Sequence, residues 1–404
     1  MKKFLAMLCT AAILVSGGGV AQASNNSNNK ADKNITAVKG KTIDIDNIDW
    51  NKVEEFDNQF DLVDYLKTVA MDLETVVPVV LTNGYQMNLD DVRFLALIWH
   101  AKTRTYPSDD PQTTRIVFFI EYKPGERVTY AYLCNDTSFL TAEEMQLYNE
   151  AVKIVDEAYD FADGHSNEDL YLELYIHDVI AERATYYTET PIPYKARFST
   201  AMGALIDGKA NCGGYADAFY MLGNMCSLDV ENISANNYDY SSSHAFNIIT
   251  LNGKNYFVDV TWDDELFSST TGKENNYAFF NTSDDIVSVS WQWSREYFPT
   301  IVKHPDKNFY YYTKEFERSG EQHFGTNAPT AEGALDLIAE QFSKGRRIGR
   351  ACAPYDERYK DKNVAMRYVL DQLPRKYGWH GSISMNVYCV GNYMFFASEG
   401  ARTN

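Results

Sequence analysis

The sequence is poor in the residues that build metal and redox centres. Six cysteines and seven histidines are spread over 404 positions. No C-x-x-C pair occurs and the histidines are scattered, so neither a zinc site nor a dithiol motif is supported, and no metal or cofactor is expected. Basic charge is short as well: 37 Lys and Arg stand against 56 Asp and Glu, a formal net charge of −19. A surface of that sign repels polyphosphate, which argues against nucleic-acid partners. The local basic cluster SKGRRIGR at 343–350 reads as a solvated strand or turn. Beyond the first two dozen residues no apolar run approaches the roughly 20 residues of a membrane span, so no integral membrane segment is expected after processing.

What is present begins with MKKFLAMLCTAAILVSGGGVAQAS. Two lysines, an apolar stretch and then Ala-Gln-Ala have the form of a secretory leader, with cleavage expected after Ala23 and an extracellular location. Gly17, Gly18 and Gly19 break the stretch, and Cys9, preceded by the large Leu8, does not suit lipidation. Loss of the leader takes two lysines with it, leaving a charge of about −21. Five cysteines remain, Cys134, Cys212, Cys226, Cys352 and Cys389, and an odd count leaves at least one thiol unpaired. Cys352 and Cys389, both in strand-like stretches, are the candidate disulfide.

With 45% hydrophobic residues the chain can bury cores in two or three domains. Residues 24–42, rich in Asn and Lys, read as a flexible leader. Residues 43–140 combine an amphipathic stretch, FDLVDYLKTVAMDLE, with RIVFFIEYKPGERVTYAYL, whose central Pro-Gly predicts a hairpin, and form a small N-terminal α+β domain. From 141 to 314 a second domain opens with Thr141 and Glu144 as a capping box, and Ser166 is expected to begin its next helix. Residues 315–404 read as a C-terminal accessory α+β domain, with TAEGALDLIAEQFSKG as a helix and SISMNVYCVGNYMFFAS as paired strands.

The chemistry is concentrated in GKANCGGYADAF, residues 208–219. Asn211 is a favourable helix N-cap, and Ala216, Phe219, Met221, Leu222 and Met225 give the following helix an inward stripe. Cys212 then falls in the first turn, where free amide groups and the helix dipole favour a thiolate. Gly213 and Gly214 are poor helix-interior residues and imply close backbone or substrate approach, with the path to the sulfur left open. Cys226, on the same helix, lies about 21 Å away at about 1.5 Å per residue, beyond disulfide reach, and reads as core. Taken alone, Cys212 is either a nucleophile at a helix mouth or one more small buried hydrophobe.

A nucleophilic thiolate needs a base and a group to orient it. SSSHAFNIITLNGKNYFVDVTWDD contains both, with Asn252-Gly253 as a hairpin signal between two strand-like runs. If those two residues form the loop, Leu251 pairs with Lys254, Asp259 faces Phe246 and His244 faces Thr261. His244 and Asp259 are then diagonal neighbours on one face, with α-carbons roughly 7–8 Å apart. A four-residue loop keeps that register, whereas a three-residue loop sends them to opposite faces. A carboxylate bound to one imidazole nitrogen turns the other towards the sulfur. His177-Asp178, mid-helix among apolar neighbours, reads as structural. Trp262, and Trp291 with Trp293 on an expected strand, line a substrate groove or pack in the core.

GALIDGKANCGGYADAF, SHAFNI and YFVDVTWDD together resemble the three signature blocks of the transglutaminase-like superfamily, whose members share the papain-like cysteine proteinase fold. The resemblance spans residues 165–285. It implies an α+β fold in which a papain-like or transglutaminase-core domain, with its cysteine-bearing helix packed on an antiparallel sheet, is flanked by small α+β domains. It also implies Cys212 as nucleophile, His244 as general base and acid, Asp259 as orienting carboxylate, and acyl transfer from an amide through a thioester without a cofactor. Bacterial members of that superfamily often resemble peptidases or amidases more than cross-linkers. The expected activity is therefore a secreted thiol-dependent hydrolase or acyltransferase acting on peptide, protein or cell-wall substrates. A cross-linking transglutaminase and a non-catalytic binding module on the same scaffold are the alternatives. Phe246 stands where the His block more often has Trp, and no glutamine precedes Cys212 to donate to an oxyanion. Tyr215 or a tyrosine of YYTETPIPY could take that place.

Overall fold

The computed structural model describes residues 43–402 apart from 90–91, 93–99, 190–195, 266–276, 278, 299, 304–315, 319–320, 324–327 and 391–392. The expected secretory leader and the Asn-rich stretch after it lie outside the described residues. The chain divides into two compact units, Met1–Val155 and Asp156–Asn404.

In the first unit, β1 (Glu55–Phe56), β2 (Val76–Leu81), β3 (His100–Tyr106) and β4 (Thr114–Glu121) form a sheet of order β1-β2-β4-β3. Helix α1 (Gln59–Met71) buries Leu62, Val63, Leu66 and Val69, a helical spacing of apolar positions, and Asn58 caps it by accepting from the Asp61 N–H. The hairpin expected at Pro124-Gly125 is not formed. Strand β4 pairs instead with β2 and β3, and Pro124–Cys134 is helix α2. Proline is well suited to a first helical position, where its missing N–H has no intrahelical partner to lose. The Glu126 carboxylate accepts from the Lys123 N–H at 2.8 Å, and Val128 and Ala131 bury at a spacing of three. Aromatic and β-branched residues made this run look like a strand; its buried positions have helical period. Helix α3 (Ala142–Ala162) follows and shows the Thr141–Glu144 capping box, with bonds of 2.8 and 3.2 Å.

The second unit contains α4 (Glu168–Arg183), β5 (Thr185–Tyr186), β6 (Lys209–Ala210), α5 (Cys212–Met225), β7 (Asp229–Asn236), β8 (Ser243–Leu251), β9 (Lys254–Val258), α6 (Val260–Glu265) and the short α7 (Asp284–Val287). Strands β7-β8-β9 make an antiparallel meander against which α5 packs. Helix α4 starts at Glu168 with Asn167 as its cap rather than at Ser166, and it is buried nearly all round, Glu173, His177 and Asp178 included. After the hairpin of β10 (Phe316–Arg318) and β11 (Glu321–His323) come α8 (Ala331–Ser343), β12 (Ile348–Pro354), α9 (Lys362–Tyr377), β13 (Gly381–Val390) and β14 (Tyr393–Arg402). These last strands form a sheet of order β12-β14-β13. Leu335, Ile338 and Phe342 of α8 and Val369 and Leu373 of α9 share a core with Ala351, Met394 and Phe396 of that sheet.

Cys352 and Cys389 are not joined in a disulfide. They sit on β12 and β13, which pair with β14 and not with each other. Cys352 is opposite Phe395 and Cys389 opposite Met394, so they point to opposite faces of the sheet with a strand between them. The chain is a mixed α+β protein with antiparallel sheets, and no described helix is long and apolar enough to cross a membrane.

Candidate active site

Helix α5 begins where Asn211 closes its first turn: the side-chain oxygen accepts from the Gly214 N–H at 3.2 Å and the amide nitrogen donates to Ser199 Oγ at 2.8 Å. The predicted inward stripe of Ala216, Phe219, Met221, Leu222 and Met225 is buried. Gly214 shows the expected close backbone approach, while a Cβ on Gly213 would meet nothing nearer than 3.3 Å. A Cβ on Gly214 would stand 2.4 Å from Phe198 O and 2.9 Å from Ala210 Cβ, so Gly214 lets the 198–200 segment press against the helix start and brace the turn that holds Cys212.

Cys212 is the first residue of α5 and is partly exposed. Burial pushes its thiol pKa up, but a hydrogen bond and the charge of His244, with a bond from the Ala245 backbone, pull it below the ordinary value. Cys226, at the far end of the same helix, is buried with no such partners and is pushed up to about 12. Two thiols on one helix thus move in opposite directions, for reasons local to each end.

His244 stands near the start of β8. Asn252 and Gly253, at φ 51° and 73°, form the two-residue loop, and Leu251 pairs with Lys254 in the expected register. The ladder ends at Asn247 opposite Val258, leaving Asp259 one residue past it. From there Asp259 Oδ2 meets His244 Nε2 at 2.6 Å, and both side chains are buried. The other carboxylate oxygen accepts from the Trp262 N–H at 3.1 Å, capping α6, and the Asp259 N–H donates to Phe279 O at 3.1 Å. With Nε2 held by Asp259, Nδ1 is the nitrogen left for the Cys212 thiol. Burial disfavours the imidazolium, but Asp259 and Cys212 outweigh it and raise His244 to about 10. An imidazolium and a thiolate stabilise each other here.

Aromatic rings surround the imidazole. Trp291 stacks on the imidazole at 4.9 Å between centroids, with Phe246 at 5.6 Å and Trp262 at 5.9 Å. Trp291 and Trp293 are not on a strand; they flank Gln292, which makes an isolated bridge to Asn236, and Trp293 packs on Phe257 instead. Phe246 is buried and keeps an edge contact with Phe257 at 5.2 Å. Asn247, three residues along from His244, donates to Ala216 O at 3.1 Å and to Asn232 Oδ1 at 2.8 Å, pinning α5 to the sheet. Sequence reasoning passed over it; its only signal was an amide in an otherwise apolar strand.

The Tyr215 hydroxyl is committed elsewhere than to an oxyanion: the residue is fully buried and its hydroxyl donates to Asp264 at 2.5 Å. Of the YYTETPIPY tyrosines, Tyr187 donates to Glu189 and Tyr194 lies outside the described residues. The Cys212 N–H, in the first helical turn, has no carbonyl of its own helix to bond.

His177-Asp178 lies at the centre of a buried polar cluster. His177 Nδ1 meets Asp178 Oδ1 at 3.2 Å and Nε2 meets Asp263 Oδ2 at 3.1 Å. Tyr277 OH donates to Asp178 at 3.1 Å, and Asn281 Nδ2 donates to Glu173 at 2.8 Å. Burial works against the His177 cation, but its two carboxylates raise it to about 9. Burial raises Glu173 to about 8. Among the described residues no group of His, Cys, Asp and Glu is arranged to hold a metal ion.

The site therefore defines a class: an α+β protein with a helix-borne cysteine beside an antiparallel hairpin bearing histidine and aspartate. No family model matches the chain, and no curated protein does. Solved structures similar to it include a TGase (14% identity, 56% of each chain, TM-score 0.25) and a candidate cysteine protease from Cytophaga hutchinsonii (12% identity, 40% of this chain and 62% of that one, TM-score 0.23). A third is a candidate protease from Parabacteroides distasonis (7% identity, 81% of this chain and 66% of that one, TM-score 0.22). The chain spans between 56% and 66% of the length of these proteins. At TM-scores of 0.22–0.25 these likenesses carry no argument, and the functional reading rests on the geometry of Cys212, His244 and Asp259.

Proposed function

We propose that this protein is a thiol-dependent amide hydrolase or acyltransferase acting on peptide, protein or cell-wall material, with Cys212, His244 and Asp259 as its catalytic residues. The observation behind this reading is the lowered thiol at a helix N-terminus beside an imidazole whose other nitrogen is held by a carboxylate at 2.6 Å. In the reaction, the Cys212 thiolate adds to an amide carbonyl carbon, and the carbonyl oxygen takes the electron pair with the Cys212 N–H as a donor. As the C–N bond breaks, His244 gives its Nδ1 proton to the departing nitrogen, which leaves as an amine or ammonia. Neutral His244 then takes a proton from water or a primary amine as it attacks the thioester. The acid or new amide is released and the ion pair restored. Asp259 stabilises the imidazolium and fixes its orientation throughout.

The leader pattern at 1–23 places this activity outside the cytoplasm in the same proposal, with 43–140 and 315–404 as accessory domains; N-terminal sequencing of protein recovered from the medium tests the cleavage after Ala23. Turnover of peptide and muropeptide libraries by the mature protein tests the chemistry, with Cys212→Ala as control. Ammonia or amine release abolished by the substitution is the expected result, and equal turnover by both proteins removes Cys212 from the mechanism. Incorporation of a labelled primary amine in preference to hydrolysis marks a transglutaminase.

A further inference from the structure

Asp259 orients His244 only as well as α6 holds Asp259. The carboxylate caps α6 through the Trp262 N–H, and the helix is short, six residues from Val260 to Glu265. It is tied down at Asp263, one turn on. Asp263 Oδ1 accepts from the Phe279 N–H at 2.9 Å while the Phe279 carbonyl accepts from the Asp259 N–H at 3.1 Å, so one residue clamps both aspartates. The other oxygen of Asp263 meets His177 Nε2 at 3.1 Å. His177, Asp178 and Asp263 are all at most 1% exposed, a setting in which an unpaired charge is costly and a paired one rigid.

We propose that His177 is a positioning residue for the reaction: bridging Asp178 and Asp263, it fixes α6 and through it the aim of the Asp259 carboxylate at His244. This rests on the catalytic reading of Cys212, His244 and Asp259. The titratable and charged groups around His177 are Glu173 and Asp178 on α4, Asp263 and Asp264 on α6, Tyr277 bonded to Asp178, and Asp259, whose charge reaches Asp263. The Arg350 guanidinium lies 5.7 Å from the Tyr277 ring centroid. The cluster therefore joins α4, α6, the 277–281 segment and, through Arg350, the C-terminal sheet.

The test is the pH profile of Cys212 alkylation by iodoacetamide, followed on the Cys212 peptide by mass spectrometry, beside kcat and KM, in the full mature chain. Three variants are compared. His177→Gln loses one of its two bridges. Asp263→Ser loses both the bridge to His177 and the carboxylate that accepts from the Phe279 N–H, without leaving an unpaired charge. Asp263→Asn keeps the bond from Phe279 and can donate to neutral His177. The first two are expected to raise the pH midpoint of Cys212 alkylation by about one unit or more and to lower kcat by about ten- to a hundredfold with KM little changed. Asp263→Asn is expected to stay within about threefold of wild type, since geometry is what the bridge supplies. If His177→Gln does not fold, His177→Asn is measured in its place. Folded variants that alkylate with the wild-type profile overturn this inference and leave the thiolate reading intact. A wild-type Cys212 that alkylates like an ordinary thiol overturns the catalytic reading and this inference with it.

Discussion

The two oxygens of Asp259 are committed in different directions, one to the Trp262 N–H and one to His244 Nε2. Asp259→Asn can preserve the cap and the shape while removing the charge that raises His244 to about 10. The ion pair exists between the lowered Cys212 pKa and the raised His244 pKa, so losing the carboxylate narrows that window from its alkaline side and weakens the thiolate's partner. Alkylation of Cys212 at pH 6 is expected to slow by about tenfold or more, since each pKa unit is a factor of ten in thiolate. An unchanged rate assigns His244's elevation to something other than Asp259. Wild-type activity should fall on the alkaline side near pH 10, where the imidazolium loses its proton, and a pH–rate profile reads that limb directly. Trp291 covers the imidazole face.

Helix α5 shows how an element's ends can be specified apart from its middle. Its N-terminal turn needs Asn211 as cap and Gly214 for contact with the 198–200 segment. Gly214→Ala forces a methyl to within 2.4 Å of the Phe198 carbonyl and is expected to cost about 1–3 kcal/mol or more by overpacking. Gly253→Ala meets nothing within 4 Å and costs only the strain of its positive φ, about 1–2 kcal/mol. Denaturant midpoints at unchanged slope compare the two, and a Gly214→Ala protein as stable as wild type removes the bracing role. Much of this element was legible in the sequence, because an N-cap, a periodic stripe and a two-residue Asn-Gly loop are local signals. The Pro124-Gly125 hairpin failed for the same reason in reverse: proline at a turn and proline at a helix start look alike until Val128 and Ala131 have a core to face.

At the scale of the molecule, the buried cluster around α4 sets a pH dependence of folding. Burial raises Glu173 from 4.5 to about 8. The folded chain therefore holds a proton that the unfolded chain has released, and stability falls as pH rises from about 4.5 through 8. Glu173 Oε1 is buried without a hydrogen-bond partner, a setting that favours the uncharged carboxyl. Glu173→Gln keeps that shape without a titrating group. It is expected to match wild type in Tm near pH 5 and to exceed it at pH 8, and equal Tm values at both pH values contradict a neutral Glu173. The C-terminal sheet and its two helices hold a separate core around Phe342 and Phe396. Phe342→Ala is expected to cost about 3–5 kcal/mol without shifting the pH profile of Cys212 alkylation, if the site's chemistry is set by the cluster around His244.

The sequence by itself determined the helix start at Cys212, the hairpin register that puts His244 beside Asp259, and the contrast between Cys212 and Cys226, because each follows from spacing within a few tens of residues and from backbone geometry with a fixed period. Only the tertiary structure decided that the segment pressed against Gly214 is 198–200, that Trp291 rather than Trp293 covers the imidazole, and that His177 reaches Asp263, eighty-six residues away. Those outcomes depend on which faces meet when α4, α5 and the β7-β8-β9 sheet pack together. Burial then fixes which charges must pair.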